Sequence, residues 1–404
     1  MRLIVTGFNR TRTLLLLLLL AATAYAHAAS IRKASPRKVG LDAERLEEVD
    51  AAIGEAVGKG QIPGAVVAIV RHGRLAYLKA FGNRQTYPAE KPMTTDVIFD
   101  LASCSKPVST AMSALILYDR GMLDLDSPVS RYLPGFDDKN GSIKVAHLMT
   151  HTSGLPAYAP VEKLSEKYGS PSPQGLLEHI CHVRRDFTAG ADFQYSCLNY
   201  ITLQYIIERI SGQSLRQFAH DNIFRPLGMR HTDYLPGEND RKKWAGKIAP
   251  TTLDKDGNLL CGKVHDPLAR VMNGGISGNA GLFSTAEDLA VICAMLQSGG
   301  SSGGKRILEE KTARLMRSVP GFASRFGRTY GWDVSSPYAS CNGTLLSRET
   351  YGHTGFTGTS IVIDPVNDCS VILLTNSVHP DEKRKGIVKL RKEISDIVAS
   401  ALIW

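Results

Sequence analysis

The chain has 404 residues, 43% hydrophobic and 22% charged, with 37 Gly and 19 Pro. That composition belongs to a globular protein with a sizeable core and excludes disordered and fibrous chains; seven Cys are too sparse for a disulfide scaffold and contain no CxxC from which to assign pairs. The formal charge of +9 is diffuse; its densest run, Lys383-Arg384-Lys385 and then Lys389, Arg391 and Lys392, reads as a solvated helix face and not a nucleic-acid patch, since no aromatics are interleaved.

Residues 1–28 have the pattern of a secretory signal peptide. Arg2, Arg10 and Arg12 precede an apolar run over 14–24, and small-residue sites follow at Ala24-Tyr25-Ala26 and Ala26-His27-Ala28. The run falls short of the ~20 residues a membrane span needs, and no later segment qualifies. A secreted or periplasmic protein without an integral membrane segment is expected, with 29–38 as a linker and 39–404 as one domain.

Asp42 is placed to cap a helix carrying Leu46, Val49, Ile53 and Val57 at helical spacing, ended by Gly58 and Gly60. A hairpin follows, with β-rich runs at 65–70 and 75–81 around His72-Gly73. Helical periodicity dominates the middle, at 105–118, at 198–210 and after the capping-box sequence Ser284-Thr285-Ala286-Glu287. The Gly/Ser stretch 298–304 reads as a flexible surface loop. Strands return at 358–364 and 370–375, and 387–403 is a final helix pattern. Strands at both ends around a helical middle predict an α+β fold: one antiparallel sheet built from both chain ends, flanked by terminal helices, with a helical lobe inserted over roughly 84–325.

The strongest local signal is Ser103-Cys104-Ser105-Lys106 at the start of the apolar helix. Residues three apart share a helix face. A serine oxygen at a helix N-terminus sits beside unpaired N–H groups that favour an oxyanion, and a neutral lysine one turn on can take its proton. The same tetrad recurs at Ser30–Lys33, Ser35–Lys38 and Ser302–Lys305, but only Ser103 opens a long apolar helix.

Tyr195-Ser196-Cys197 precedes the helix at 198–210, and His353-Thr354-Gly355 leads into the strand at 358–364. These three motifs, in this order, resemble the serine β-lactamase and penicillin-recognising hydrolases, most closely the branch with class C β-lactamases, DD-peptidases and β-lactamase-like esterases. The resemblance runs from Val39 to Trp404 and includes Leu148-Met149-Thr150-His151-Thr152-Ser153-Gly154 and Gly281-Leu282-Phe283-Ser284-Thr285. It implies Ser103 as acylated nucleophile, Lys106 as its base and Tyr195 as proton shuttle to the leaving group. It also implies His353 and Thr354 lining the pocket beside Gly355, and the N–H groups of Ser103 and Phe356 as oxyanion hole. The family's tyrosine motif usually ends in Asn; here that place is Cys197, a weak donor, which weakens the hold on an amide substrate. His353 stands where many members have Lys.

His147 and His151 are four apart, but HExxH is missing and hydrogen-bonding roles are expected. Gly300-Ser301-Ser302-Gly303-Gly304 matches a GxSxG elbow without its strand and helix. Gly275-Ile276-Ser277-Gly278-Asn279-Ala280-Gly281 reads as a tight loop near the site. The expectation is therefore an exported monomeric serine hydrolase, with no metal or organic cofactor, acting on a small ester, amide or peptide, esters favoured. The alternatives are a DD-peptidase or β-lactamase, or a catalytically silent binding protein on the same fold.

Overall fold

The computed structural model describes residues 31–136, 142–383 and 386–403; the leader pattern and two residues of the basic run lie outside them. Helix α1 (Glu47–Gly58) precedes the hairpin β1 (Gly64–Arg71) and β2 (Arg74–Gln85), and β2 pairs outward with β3 (Lys91–Pro92). Then come β4 (Phe99–Asp100), α2 (Met112–Asp119), α3 (Cys197–Ser211), β5 (Asp233–Tyr234), β6 (Leu282–Ser284) and α4 (Ala286–Gln297). The last elements are β7 (Tyr351–Thr354), β8 (Ser360–Asp364), β9 (Cys369–Leu374) and α5 (Ile387–Ser400).

The main sheet runs β3-β2-β1-β9-β8-β7, antiparallel throughout, so strands from both chain ends meet where β1 pairs with β9. All of β1 is buried because the sheet is covered on both faces. Its alternation sends Val66, Ala68 and Val70 into the core shared with the inserted helices, including Leu115 of α2 and Leu289 and Ile292 of α4. Ala65, Val67 and Ile69 face the opposite core, with Val49 and Ile53 of α1 and Leu390, Ile394 and Val398 of α5. A small sheet, β4-β6-β5, fixes the chain just before Ser103. Among the described residues no helix is long and apolar enough to cross a membrane.

Several local expectations are corrected. The segment read as a linker packs on the sheet, with Ala34 N–H donating to Leu75 O and Leu75 N–H to Arg32 O. Asp42 caps a turn ahead of α1, accepting from Glu44 and Arg45 N–H. The cap of α4 is Thr285, which accepts from Asp288 N–H, while the Ser284 hydroxyl pairs with Thr232. Within 298–304, Ser301–Ser302 forms a two-stranded ladder with Lys305–Arg306. Arg391, counted to a solvated face, is 6% exposed and turned inward. The helix expected over 105–118 is three pieces: a 3₁₀ turn Ala102–Cys104, a π-helical stretch Lys106–Ala111, and α2.

Candidate active site

Ser103 stands in a turn tied down from every side. Ala102 adopts φ +46°, a left-handed conformation that a non-glycine residue holds only when its surroundings enforce it. The enforcing group is Asp100, whose buried carboxylate accepts from Ala102 N–H at 2.9 Å and from His265 N–H at 2.7 Å. Burial pushes this carboxyl up, against the pull of those two bonds. Thr357 Oγ1 donates to Asp100 O and Thr359 Oγ1 to Leu101 O, clamping the turn to the β7–β8 connection. Arg391 Nη2 donates to Gly355 O and Thr359 O, so α5 holds that connection from behind. Gly355 is required here, since a Cβ would run into Leu101 O and Thr359 Oγ1.

The π-helical stretch turns Lys106 inward, fully buried, with Nζ 3.0 Å from Ser103 Oγ and 2.9 Å from the Asn279 carbonyl oxygen, to which it donates. Cys197 Sγ is 3.8 Å away. The amine lies 4.9 Å from the Tyr195 ring centroid, and the Tyr195 hydroxyl interacts with both Ser103 and Lys106. Burial acts to lower the Lys106 pKa; anionic Cys197 and Tyr195 act to raise it, and with both counted as ions the balance lies above the ordinary lysine value. Burial, however, lifts the Cys197 thiol and the Tyr195 phenol above their own ordinary ranges. Both are neutral at pH 7, so the two largest charges opposing desolvation are absent there, and the Asp266 carboxylate remains as a charge favouring the ammonium.

The set predicted from sequence converges on one place. Ser103 and Tyr195 lie between two chambers, of about 460 and 890 Å³. The smaller is lined by His353, Thr354, Gly355 and Arg328, the larger by Cys197, Tyr158, Leu260 and Asp266; Phe356, 65% exposed and stacked on His265, faces both. His353, which stands where many members have Lys, is buried and uncharged here. It is 4% exposed, and burial, with Arg328 and Lys106 nearby, holds its pKa well below the usual histidine range. Its Nδ1 donates to Thr354 O at 2.9 Å, which leaves Nε2 as an unpaired acceptor. His147 and His151 hold hydrogen bonds: Nδ1 of His147 accepts from Lys144 N–H and Nδ1 of His151 from Ser196 N–H. His151 also stacks under Tyr195 at 4.4 Å.

Asp100, Arg328 and Arg391 were missed by sequence reasoning. Asp100 had a signal, a lone carboxylate inside the apolar run 98–101, because a buried charge needs partners and marks a structured turn. Arg328, 1% exposed, pairs with Asp333 at 2.8 Å while Nε and Nη2 have no partner; nothing local in sequence indicates it.

Burial lowers three histidines, His147 to about 4, and His151 and His353 well below the ordinary value. They are neutral in the native state and take up protons near ~6.5 once unfolded. The unfolded chain therefore binds more protons as pH falls through that range, and stability falls with it. Thermal melts are expected to show Tm dropping on acidification below about pH 6.5; a Tm that rises there would show these histidines charged in the fold.

The β-lactamase family profile matches residues 49–394. A protein of Escherichia coli strain K12 named "Putative D-alanyl-D-alanine carboxypeptidase" is 33% identical over 378 residues, covering 86% of each chain. Among solved structures, EstCE1, described as a hydrolase with promiscuous acyltransferase activity, is 27% identical with a TM-score of 0.69, covering 88% of this chain and 99% of that one. The octameric penicillin-binding protein homologue from Pyrococcus abyssi shares the fold at 23% identity and a TM-score of 0.64, covering 88% of this chain and 76% of that one.

Proposed function

Since the chain belongs to the β-lactamase family of serine hydrolases, we propose that it is an exported acyl hydrolase working through an ester on Ser103, with small esters favoured over amides. The observation that carries this is the 3.0 Å contact between Ser103 Oγ and the buried Lys106 Nζ, at a point where two chambers meet. In this reading Lys106 takes the Ser103 proton as Oγ attacks the substrate carbonyl. The N–H groups of Ser103 and Phe356, neither of which donates to a backbone carbonyl among the described residues, receive the oxyanion. Tyr195 passes a proton to the departing group, and water then releases the acyl chain by the reverse transfers. The leader pattern of residues 1–28 supports export.

Ester preference follows from Cys197. An amide's leaving group must be protonated while its carbonyl is held, and a thiol holds it poorly. A short-chain p-nitrophenyl ester is expected to show a higher kcat/KM than a D-Ala-D-Ala peptide or a chromogenic cephalosporin, by roughly 5- to 150-fold, the value of one hydrogen bond. Cys197→Asn should narrow the gap. A wild type that already prefers the peptide would replace this reading with that of a carboxypeptidase. One observation favours that second reading: the smaller chamber is lined by Arg328, whose unpartnered guanidinium nitrogens suit a terminal carboxylate.

A further inference from the structure

Segment 148–154 supplies no group to the reaction proposed for Ser103, yet its His151 holds Tyr195 at three points. The imidazole stacks under the Tyr195 ring, with centroids 4.4 Å apart and planes 31° from parallel. Its Nδ1 accepts from Ser196 N–H at 3.1 Å, and its carbonyl oxygen accepts from Gln194 N–H at 3.0 Å. Both chain neighbours of Tyr195 are therefore tied to the residue on which its ring lies. The carbonyls that follow continue the strap: Thr152 O accepts from Gly190 N–H, Gly154 O from Asp186 N–H and Ala157 O from Cys197 N–H. His151 itself is fully buried and adopts φ +58°, a left-handed backbone that a non-glycine residue holds only when its surroundings enforce it. Its ring is fixed as firmly. Asn199 of α3 donates from Nδ2 to the same Nδ1 at 3.2 Å, while its Oδ1 accepts from Ser153 Oγ. Because a backbone N–H can only donate, Nδ1 is the bare nitrogen and the hydrogen lies on Nε2, which has no partner among the described residues. Burial, with Arg328, Lys106 and His353 nearby, keeps this ring uncharged. The side chain thus meets two needs at once, a flat ring under Tyr195 and an acceptor beside it. Phenylalanine offers only the first, and asparagine only the second.

We propose that His151 is a positioning residue for Tyr195, setting the phenol ring so that its hydroxyl reaches the departing group. The proposal rests on the reading of Tyr195 as the group that passes a proton to the leaving group, and names what holds it in place. The position to be held is narrow. The Tyr195 hydroxyl interacts with both Ser103 and Lys106, and Lys106 Nζ lies 4.9 Å from the ring centroid. A tilt of the ring moves the hydroxyl, at its far end, more than any other atom. Tyr338 also stacks on Tyr195, at 5.0 Å, but is 54% exposed, so the buried imidazole is the fixed wall. Tyr200 packs on that imidazole in turn, at 5.1 Å, and is anchored by its hydroxyl donating to Met149 O.

The test compares the ethyl and p-nitrophenyl esters of one short-chain acid by kcat/KM, which reports the steps up to acylation. Ethoxide must be protonated as it leaves, whereas p-nitrophenolate departs as the anion, so only the ethyl ester needs the Tyr195 proton. His151→Asn keeps an acceptor where Nδ1 stands and suits a left-handed backbone, but removes the ring. It is expected to lower the ethyl-to-nitrophenyl ratio by about 10- to 100-fold, the scale of a misplaced catalytic group. Ser103 should still be labelled by a fluorophosphonate, whose fluoride also leaves unprotonated. His151→Gln, a second variant without the ring, should behave alike. In a Tyr195→Phe background neither substitution should lower the ratio further, because the two residues act as a unit. An equal loss for both esters, a full additional loss on top of Tyr195→Phe, or loss of Ser103 labelling in both ringless variants would overturn the proposal, since His151 would then serve the fold alone. Failure of the underlying reading would show instead in Tyr195→Phe by itself, as an equal slowing of both esters.

Discussion

Ser103→Ala is expected to lower kcat for ester hydrolysis by ~10³-fold or more, the scale seen when an activated nucleophile is removed, while the thermal melt stays close to wild type. The fold does not depend on the hydroxyl. Ser103 is held by the backbone of its turn, through Asp100 to Ala102 N–H and through Thr357 and Thr359 to the carbonyls of Asp100 and Leu101. Its Oγ meets Lys106 and opens on the two chambers. Full activity in a folded Ser103→Ala protein would remove the acyl-enzyme from the account.

Lys106→Arg is expected to be nearly as damaging, about 10²- to 10⁴-fold, although it keeps a positive charge. A guanidinium has five donors and no acceptor and does not deprotonate. A lysine here is useful only as the neutral amine, and burial favours that form; of the neighbours that oppose it, Cys197 and Tyr195 are uncharged at pH 7, while Asp266 acts for the ammonium. The sign of the pH dependence follows. Below its pKa Lys106 is charged and idle, so wild-type kcat/KM rises with pH along the acid limb. An Arg variant with wild-type turnover would show that residue 106 serves by charge and not as a base.

The sheet was legible because its strands are short β-rich apolar runs beside turn residues, as at 65–70 and 75–81 around His72-Gly73; the division of β1, β8 and β9 between two cores comes from the fold. Ser103, Lys106, Tyr195 and His353 were legible as motifs in chain order; Ser103 and Tyr195 line both chambers, His353 lines the smaller, and Lys106 Nζ lies buried 3.0 Å from Ser103 Oγ. What escaped was whatever depends on distant segments. Asp100 takes its meaning from His265 and Ala102, and Arg391 from carbonyls in the β7–β8 connection. Arg328 acts on His353 and Tyr195 only because the tertiary fold brings them together. His353 shows the same limit from the other side: the sequence places an ionisable side chain there, and only the fold shows that burial keeps it neutral. The break of the first inserted helix into 3₁₀, π and α pieces was equally hidden, because strain at Ala102 is imposed by partners remote in sequence.

Mass spectrometry after incubation with a fluorophosphonate, followed by peptide mapping, tests the central claim most directly. The account predicts a single adduct on the Ser103 peptide, formed faster as pH rises through the acid limb, and no adduct in Ser103→Ala. An adduct mapped to another residue, or formed at the wild-type rate in Ser103→Ala, would contradict it.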